Sequence, residues 1–247
     1  MPLFTDGPPA SIEELSARDS QLLNVANVEG IDVTQKLRLA HEEVGVDLYT
    51  LLTKKSYTKP DLDTVAVTPP LKLWHAFRAL EMVYADAYNS QLNDRYAGKR
   101  DQYHKSARGA YEKLIQNGLG IVQAPVSKAA TPSVATAAGT IPDGTYFVTM
   151  AWVNAAGEEG VNAAPALATT ASSTLAVTPV GTAPQNACGW NVYVGVSPDS
   201  MVRQNTQPVA LGQTWVQPNR LFTAGAAPSG GQQPSYLQPM PRILERG

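Results

Sequence analysis

One cysteine, Cys188, stands in 247 residues, so no internal disulfide can form. Its simplest reading is a small apolar residue beside Trp190. Histidine is scarce too. His41, His75 and His104 fall on three different helical segments with no ligand spacing, so no metal site is expected from them and they read as helix-surface or boundary residues. No apolar run approaches the ~18 residues that a membrane span needs. The opening Met1-Pro2-Leu3-Phe4-Thr5-Asp6 carries no basic stretch and no apolar stretch of the secretory kind, and synthesis in a cytoplasm is expected. A surplus of positive charge is missing as well. Residues 1–123 hold 14 basic and 16 acidic side chains and residues 124–247 hold 5 of each, so specific binding to nucleic acid is not expected. GxGxxG, Walker, HExxH, GxSxG and CxxC patterns are all lacking. No catalytic residue and no cofactor are expected, and an enzyme is the weakest reading.

What is present is one change of character near residue 123. The first part holds 30 of the 40 charged residues. The second is rich in Ala, Thr, Val, Gly and Pro. Amphipathic helices need charged faces, whereas small β-domains need turn formers and β-branched residues, so the shift marks a domain boundary.

The first part reads as four helices. Ser11-Ile12-Glu13-Glu14 is a capping box, and Ile12, Leu15, Leu22 and Val25 follow it as one helix. Asp32-Val33-Thr34-Gln35 opens a second, with Val33, Leu37, Ala40, Val44, Leu48 and Leu51 as its stripe. Thr68-Pro69-Pro70 caps a third, carrying Leu73, Trp74, Phe77, Leu80, Tyr84 and Tyr88. The fourth runs from about Asn93 to Gln116 with Tyr96, Tyr103, Ala107, Ala110, Tyr111 and Leu114, and stops at a left-handed cap, Asn117-Gly118. Near its start, Arg95, Lys99 and Arg100 form a basic cluster flanked by Asp94 and Asp101. Asp94 and Asp101 cancel most of its field, so the cluster reads as a solvated or protein-facing helix surface more than a phosphate contact, and it becomes a candidate ring or channel surface only through the family resemblance of the bundle given below.

From Thr140 the period becomes two. Gly144 to Val153 puts Tyr146, Val148, Met150 and Trp152 on one face. Trp190, Val192 and Val194 alternate with Asn191 and Tyr193. Further strands are expected at Val161–Thr170, Ser173–Val180, Val209–Leu211 and Gln213–Val216. Six or seven short strands argue for a β-sandwich with Trp152, Trp190 and Trp215 in its core. The expected domains are a helical bundle at 1–122, an Ala/Thr/Pro/Ser linker at 123–139, a β-sandwich at 140–222, and a linker plus extended tail at 223–247. The fold class is α+β, multidomain. The tail carries Tyr236, Leu237, Met240, Arg242, Ile243, Leu244 and Arg246 on a proline-stiffened segment with no evident internal partner, so it reads as a docking strand.

Thr68 through Phe77, Asn93-Asp94-Arg95-Tyr96, Tyr103, Tyr111-Glu112-Lys113-Leu114 and Gly118-Leu119-Gly120 together resemble the helical bundle of head-to-tail adaptor (connector) proteins of tailed bacteriophages. The resemblance covers roughly residues 11–122. Gly144-Thr145-Tyr146 and Gly189-Trp190-Asn191-Val192-Tyr193 resemble the immunoglobulin-like or fibronectin-type domains that phage structural proteins carry. The resemblance implies a virion protein of the neck, made in the host cytoplasm. It implies a ring of copies of itself, commonly twelve-fold, bound to the portal protein and to tail or neck proteins, with genomic DNA passing through unbound. It also makes the portal the first partner for the tail. The alternative is a receptor- or glycan-binding phage or surface protein whose sandwich presents Trp152, Trp190, Trp215 or Tyr193 on an open face.

Overall fold

The computed structural model describes residues 1–55, 61–91, 94–218 and 220–240, except the side chains of Lys55 and Gln91. The chain is α+β, with helices first and antiparallel sheets after them. It divides into two compact units. One is Phe4–Val122 with Pro234–Gly247, the other Met1–Leu3 with Gln123–Gln233. In chain order Gln123–Gln233, all of the second unit but Met1–Leu3, is therefore an insertion in the first.

The helical unit holds α1 (Ile12–Arg18), α2 (Leu22–Glu29), α3 (Val33–Lys55), α4 (Pro69–Gln91) and α5 (Ala97–Asn117). The capping box forms as expected, with Glu14 N–H donating to the Ser11 hydroxyl and Ser11 N–H to the Glu14 carboxylate. Asp32 caps α3 through Gln35 N–H at 3.1 Å. The Thr68 hydroxyl, by contrast, caps nothing and has no hydrogen-bond partner among the described residues. The expected first helix is two helices, because Asp19 ends one and its carboxylate accepts from Gln21 N–H at 3.0 Å as the next begins. Asn93, the expected start of the last helix, lies outside the described residues.

The stripes read from the sequence make two buried clusters. Leu15, Leu22, Leu37, Ala40, Leu80, Val83 and Tyr84 pack in one. Val44, Leu48, Leu51, Leu71, Trp74, Ala107 and Leu114 pack in the other. After α5 the cap at Gly118 has positive φ but extended ψ (87°, 163°), so it is not the left-handed helical cap expected. The chain turns directly into β1 (Leu119–Ile121), and β10 (Tyr236–Gln238) pairs antiparallel with it, Leu119 opposite Gln238.

This corrects the reading of the tail. Residues 236–238 have a partner strand inside the chain, and Met240 is buried in the second helical cluster. Tyr236 and Leu237 remain about half exposed. Arg242, Ile243, Leu244 and Arg246 lie outside the described residues.

The inserted unit contains β2 (Ser133–Ala137), β3 (Gly144–Asn154), β4 (Ala166–Thr170), β5 (Thr174–Thr178), β6 (Ala187–Gly195), β7 (Val202–Arg203), β8 (Val209–Ala210) and β9 (Trp215–Val216). One sheet runs β2-β5-β9 and the other β4-β3-β6-β7, with β8 also on β6. Tyr146, Val148, Met150, Trp152, Trp190, Val192 and Val194 from the second sheet share one core with Leu175 and Val177 from the first. Trp215 is only partly buried against it. Cys188 is exposed rather than packed.

One expectation fails here, because more of the chain folds onto the sheets than alternation reveals. Residues 123–139 are no linker, since they supply β2 and bury Val126 and Ala129 in the core. The opposite face of β3 and β6 is also covered. Ala151 and Tyr193 pack there with Met201, and the Thr149 hydroxyl donates to Ala163 O at 2.7 Å.

Candidate functional site

The basic cluster does not present three free cations. Lys99, one turn into α5, donates to the Asp19 carboxylate at 2.9 Å and lies 5.5 Å from the centre of the Tyr103 ring. Arg100 pairs with Asp101 and sits 4.2 Å over the Tyr88 ring. Arg95 lies 5.3 Å over the Tyr96 ring. A cation held by a carboxylate and a ring face has its field largely satisfied, so Lys99 ties α5 to the end of α1 and Arg100 ties it to α4, whereas Arg95 lies on its own neighbour.

Asp19 is the hub of that arrangement. Tyr84 and Tyr103 hydroxyls each donate to it at 2.7 Å. Burial alone would raise its pKa, but the hydrogen bonds from Tyr103, Lys99 and Tyr84 outweigh burial and hold it at about 2. His75 is a second buried polar point, fully enclosed rather than at a surface. Its Nδ1 accepts from Ala10 N–H at 3.3 Å, which leaves Nε2 as the donor to Leu37 O at 3.1 Å. Burial lowers its pKa to about 4, against the pull of the Leu37 carbonyl. His41 is 6.0 Å away, ring centre to ring centre, and His104 is on the far wall of α5. Among the described residues, no three His, Cys, Asp or Glu side chains gather as a metal-ligand set.

A concavity of the helical unit lies elsewhere. α3 and α5 both flank α4 and leave an open groove of about 880 Å³ between them. Its floor is Val44, Trp74, Ala107, Tyr111 and Ile115. The Trp74 and Tyr111 rings meet at 5.0 Å with a 59° tilt. Its rim is charged and chained together. The Arg78 guanidinium donates to Glu43 on α3 at 2.7 Å and to Glu81 at 2.8 Å, and the second oxygen of Glu81 meets His104 Nδ1 on α5 at 2.8 Å. Arg108 pairs with Glu112 one turn on, at 3.4 Å.

Asp47 differs from the other acids of the rim. Among the described residues it has no hydrogen-bond or ion-pair partner. Partial withdrawal from water raises its carboxyl above the usual range, with Arg78 opposing and Glu43 adding to the rise. Burial, and then the Asp47 charge, push the Tyr111 hydroxyl up, so it stays neutral.

An aromatic floor with a polar, arginine-bearing rim is the make-up of a protein-recognition surface. Sequence reasoning missed this groove. The available signal was the charged rows flanking each buried stripe: Glu43 and Asp47, Arg78 and Glu81, then His104, Arg108 and Glu112, all at steps of three or four.

No protein-family model, curated protein or solved structure matches the chain.

Proposed function

We propose that the protein is a structural adaptor of tailed bacteriophages, placed in the neck of the virion between portal and tail. In this reading α1 and α2 are one broken helix of a four-helix bundle, and the inserted unit is an immunoglobulin-like sandwich. Copies assemble as a ring, of about twelve by the resemblance, through heterologous faces in which two different surfaces of each subunit meet. Genomic DNA passes without being held, which the charge balance favours, since each retained phosphate contact would oppose transit.

The observation that carries the reading is the groove. It is built by α3, α4 and α5, of which α4 and α5 hold residues of the resemblance, and Trp74, Tyr111 and Glu112 line it. A ring subunit needs such a surface for a protein neighbour, and a helix or strand fits an open cleft of this kind.

The receptor- or glycan-binding reading needs aromatic rings on an open face. Trp152, Trp190 and Tyr193 are buried, which leaves only part-buried Trp215 for that role.

The test is mass in solution, alone and with purified portal rings. A chain that is monomeric alone and joins portal as a ring supports the adaptor. A stable dimer that ignores portal overturns it.

A further inference from the structure

Three helices each turn a row of side chains toward the groove. On α4 the row is Trp74, Arg78 and Glu81, and on α3 it is Glu43 and Asp47, one turn apart. α5 supplies a double row, His104, Ala107, Arg108, Tyr111, Glu112 and Ile115. Rows at steps of three and four bound the furrows into which the side-chain ridge of another helix packs. The α5 wall, from His104 to Gln116, is about 18 Å long at a rise of roughly 1.5 Å per residue, so it matches a helix of about twelve residues.

The charges of the rim are unevenly used. Four carboxylates, Glu43, Asp47, Glu81 and Glu112, meet two guanidiniums, Arg78 and Arg108. Arg78 is taken by Glu43 and Glu81, Arg108 pairs with Glu112, and His104 pairs with Glu81. Asp47 is left over, with no hydrogen-bond or ion-pair partner among the described residues. After burial, its charge is what pushes the Tyr111 hydroxyl up, so the carboxylate lies near the aromatic floor.

A carboxylate beside the Trp74 and Tyr111 rings suits one side chain above others. An arginine guanidinium pairs with the carboxylate while lying flat on a ring, and it stays charged when water is excluded. A lysine ammonium is more strongly hydrated, and an acidic side chain would be repelled by the net negative rim. The floor of Val44, Trp74, Ala107, Tyr111 and Ile115 selects aliphatic or aromatic neighbours on the same face of the incoming helix.

We infer that the groove takes an amphipathic helix of another protein, whose apolar stripe carries one arginine, and that Asp47 receives this arginine. The inference deepens the proposed function, since it rests on the groove being a surface for a protein neighbour. It does not require that neighbour to be portal.

The test uses the full-length protein and a displayed library of random peptides of about 14 residues, enough for roughly four helical turns, with the Asp47→Arg variant as counter-target. Peptides enriched on the wild-type chain and not on the variant carry arginine within an apolar pattern at steps of three and four. For such a peptide, fluorescence anisotropy shows binding to the wild-type chain weakened about tenfold or more when its arginine is replaced by glutamine. The Asp47→Asn chain, with unchanged helical circular dichroism, binds the two peptides alike. Enrichment without arginine, no enrichment at all, or an arginine effect that survives Asp47→Asn overturns the inference. So does sedimentation in which the wild-type chain self-associates and the Asp47→Arg variant does not, because a second copy would then be the occupant. None of these readouts involves portal. A chain that passes them and ignores portal keeps the groove and loses the adaptor, and a chain that joins portal and fails them keeps the adaptor through another face.

Discussion

The Lys99 ammonium donates to the Asp19 carboxylate at 2.9 Å, joining residues 80 positions apart in the chain. Asp19 ends α1 and its side chain starts the turn into α2, so one carboxylate fixes a helix break and pins α5 over it. Its lowered pKa has a definite sign. The ionised form is favoured in the folded chain, so the stabilisation is present above the ordinary 3.8 and is lost as pH falls toward 2. The shift corresponds to about 2 kcal/mol. Asp19→Asn should lower stability at pH 7 by about that amount, and the deficit should shrink below pH ~3. Denaturant melts followed by helical circular dichroism measure both. An unchanged midpoint at pH 7 would reduce the hub to a bystander.

His75 works in the same direction on the pH axis but in a higher window. Its folded pKa is about 4 against an ordinary 6.5, so the unfolded chain takes up a proton first as the solution is acidified. Stability from the buried neutral ring is complete above pH 6.5 and falls between 6.5 and 4, by about 3 kcal/mol over the whole window. His75→Gln keeps an acceptor for Ala10 N–H and a donor for Leu37 O but cannot titrate. The variant should stay folded and lose most of the pH slope between 7 and 4.5. A wild-type slope in the variant would move the titration to another group.

In the inserted unit, Glu159 accepts from the Tyr193 hydroxyl at 2.5 Å and from the Asn191 amide, and Asn205 donates to Asn191 Oδ1 at 2.8 Å. Asn191 and Tyr193 are the residues of β6 that alternate with Trp190, Val192 and Val194. A buried hydroxyl bonded to a carboxylate contributes about 1.5–3 kcal/mol when the partner is left unsatisfied. Tyr193→Phe should therefore destabilise this unit by about 2 kcal/mol, read as a shifted tryptophan fluorescence transition with the helical signal unchanged. Loss of both signals together would show that the residue supports more than its own sheet.

These cases mark where the sequence was legible. The stripes of α3 and α4 were, because a period near 3.6 with buried Leu37, Ala40, Val44 and Leu48 has one geometric solution. The α1–α2 break was not, because it depends on Tyr84, Lys99 and Tyr103, which lie far along the chain from Asp19. The second covered face of β6 was hidden for the same reason: Glu159, the partner of Asn191 and Tyr193, lies more than thirty residues before them in the chain. The tail looked partnerless because β1 is only three residues long and follows a helix, so its free edge leaves no pattern. The groove is a property of three helices splayed on one another, and single-helix periodicity carries only its charged rim.

The domain boundaries give the last prediction. β1 and β10 lie side by side, with Ile121 opposite Tyr236 and Ser235 N–H donating to Ile121 O at 2.7 Å. The two points at which the inserted unit leaves and rejoins the helical unit are therefore neighbours, about 5 Å apart across the strand pair. Replacing residues 123–234 with Asn-Gly would turn β1 and β10 into a two-residue hairpin, for which that dipeptide supplies the required positive φ. Val122, whose N–H donates to Thr64 O, is kept in this design. The product should be soluble and helical, with Met240 still in its cluster and α3 to α5 intact. Cutting at the compositional boundaries instead, by removing 140–222, would strand β2 without its partner β5 and expose Val126 and Ala129. That variant should aggregate. Circular dichroism and light scattering on the two deletions distinguish them, and a collapsed helical signal in the Asn-Gly variant would show that Phe4–Val122 and Pro234–Gly247 cannot fold without the inserted residues.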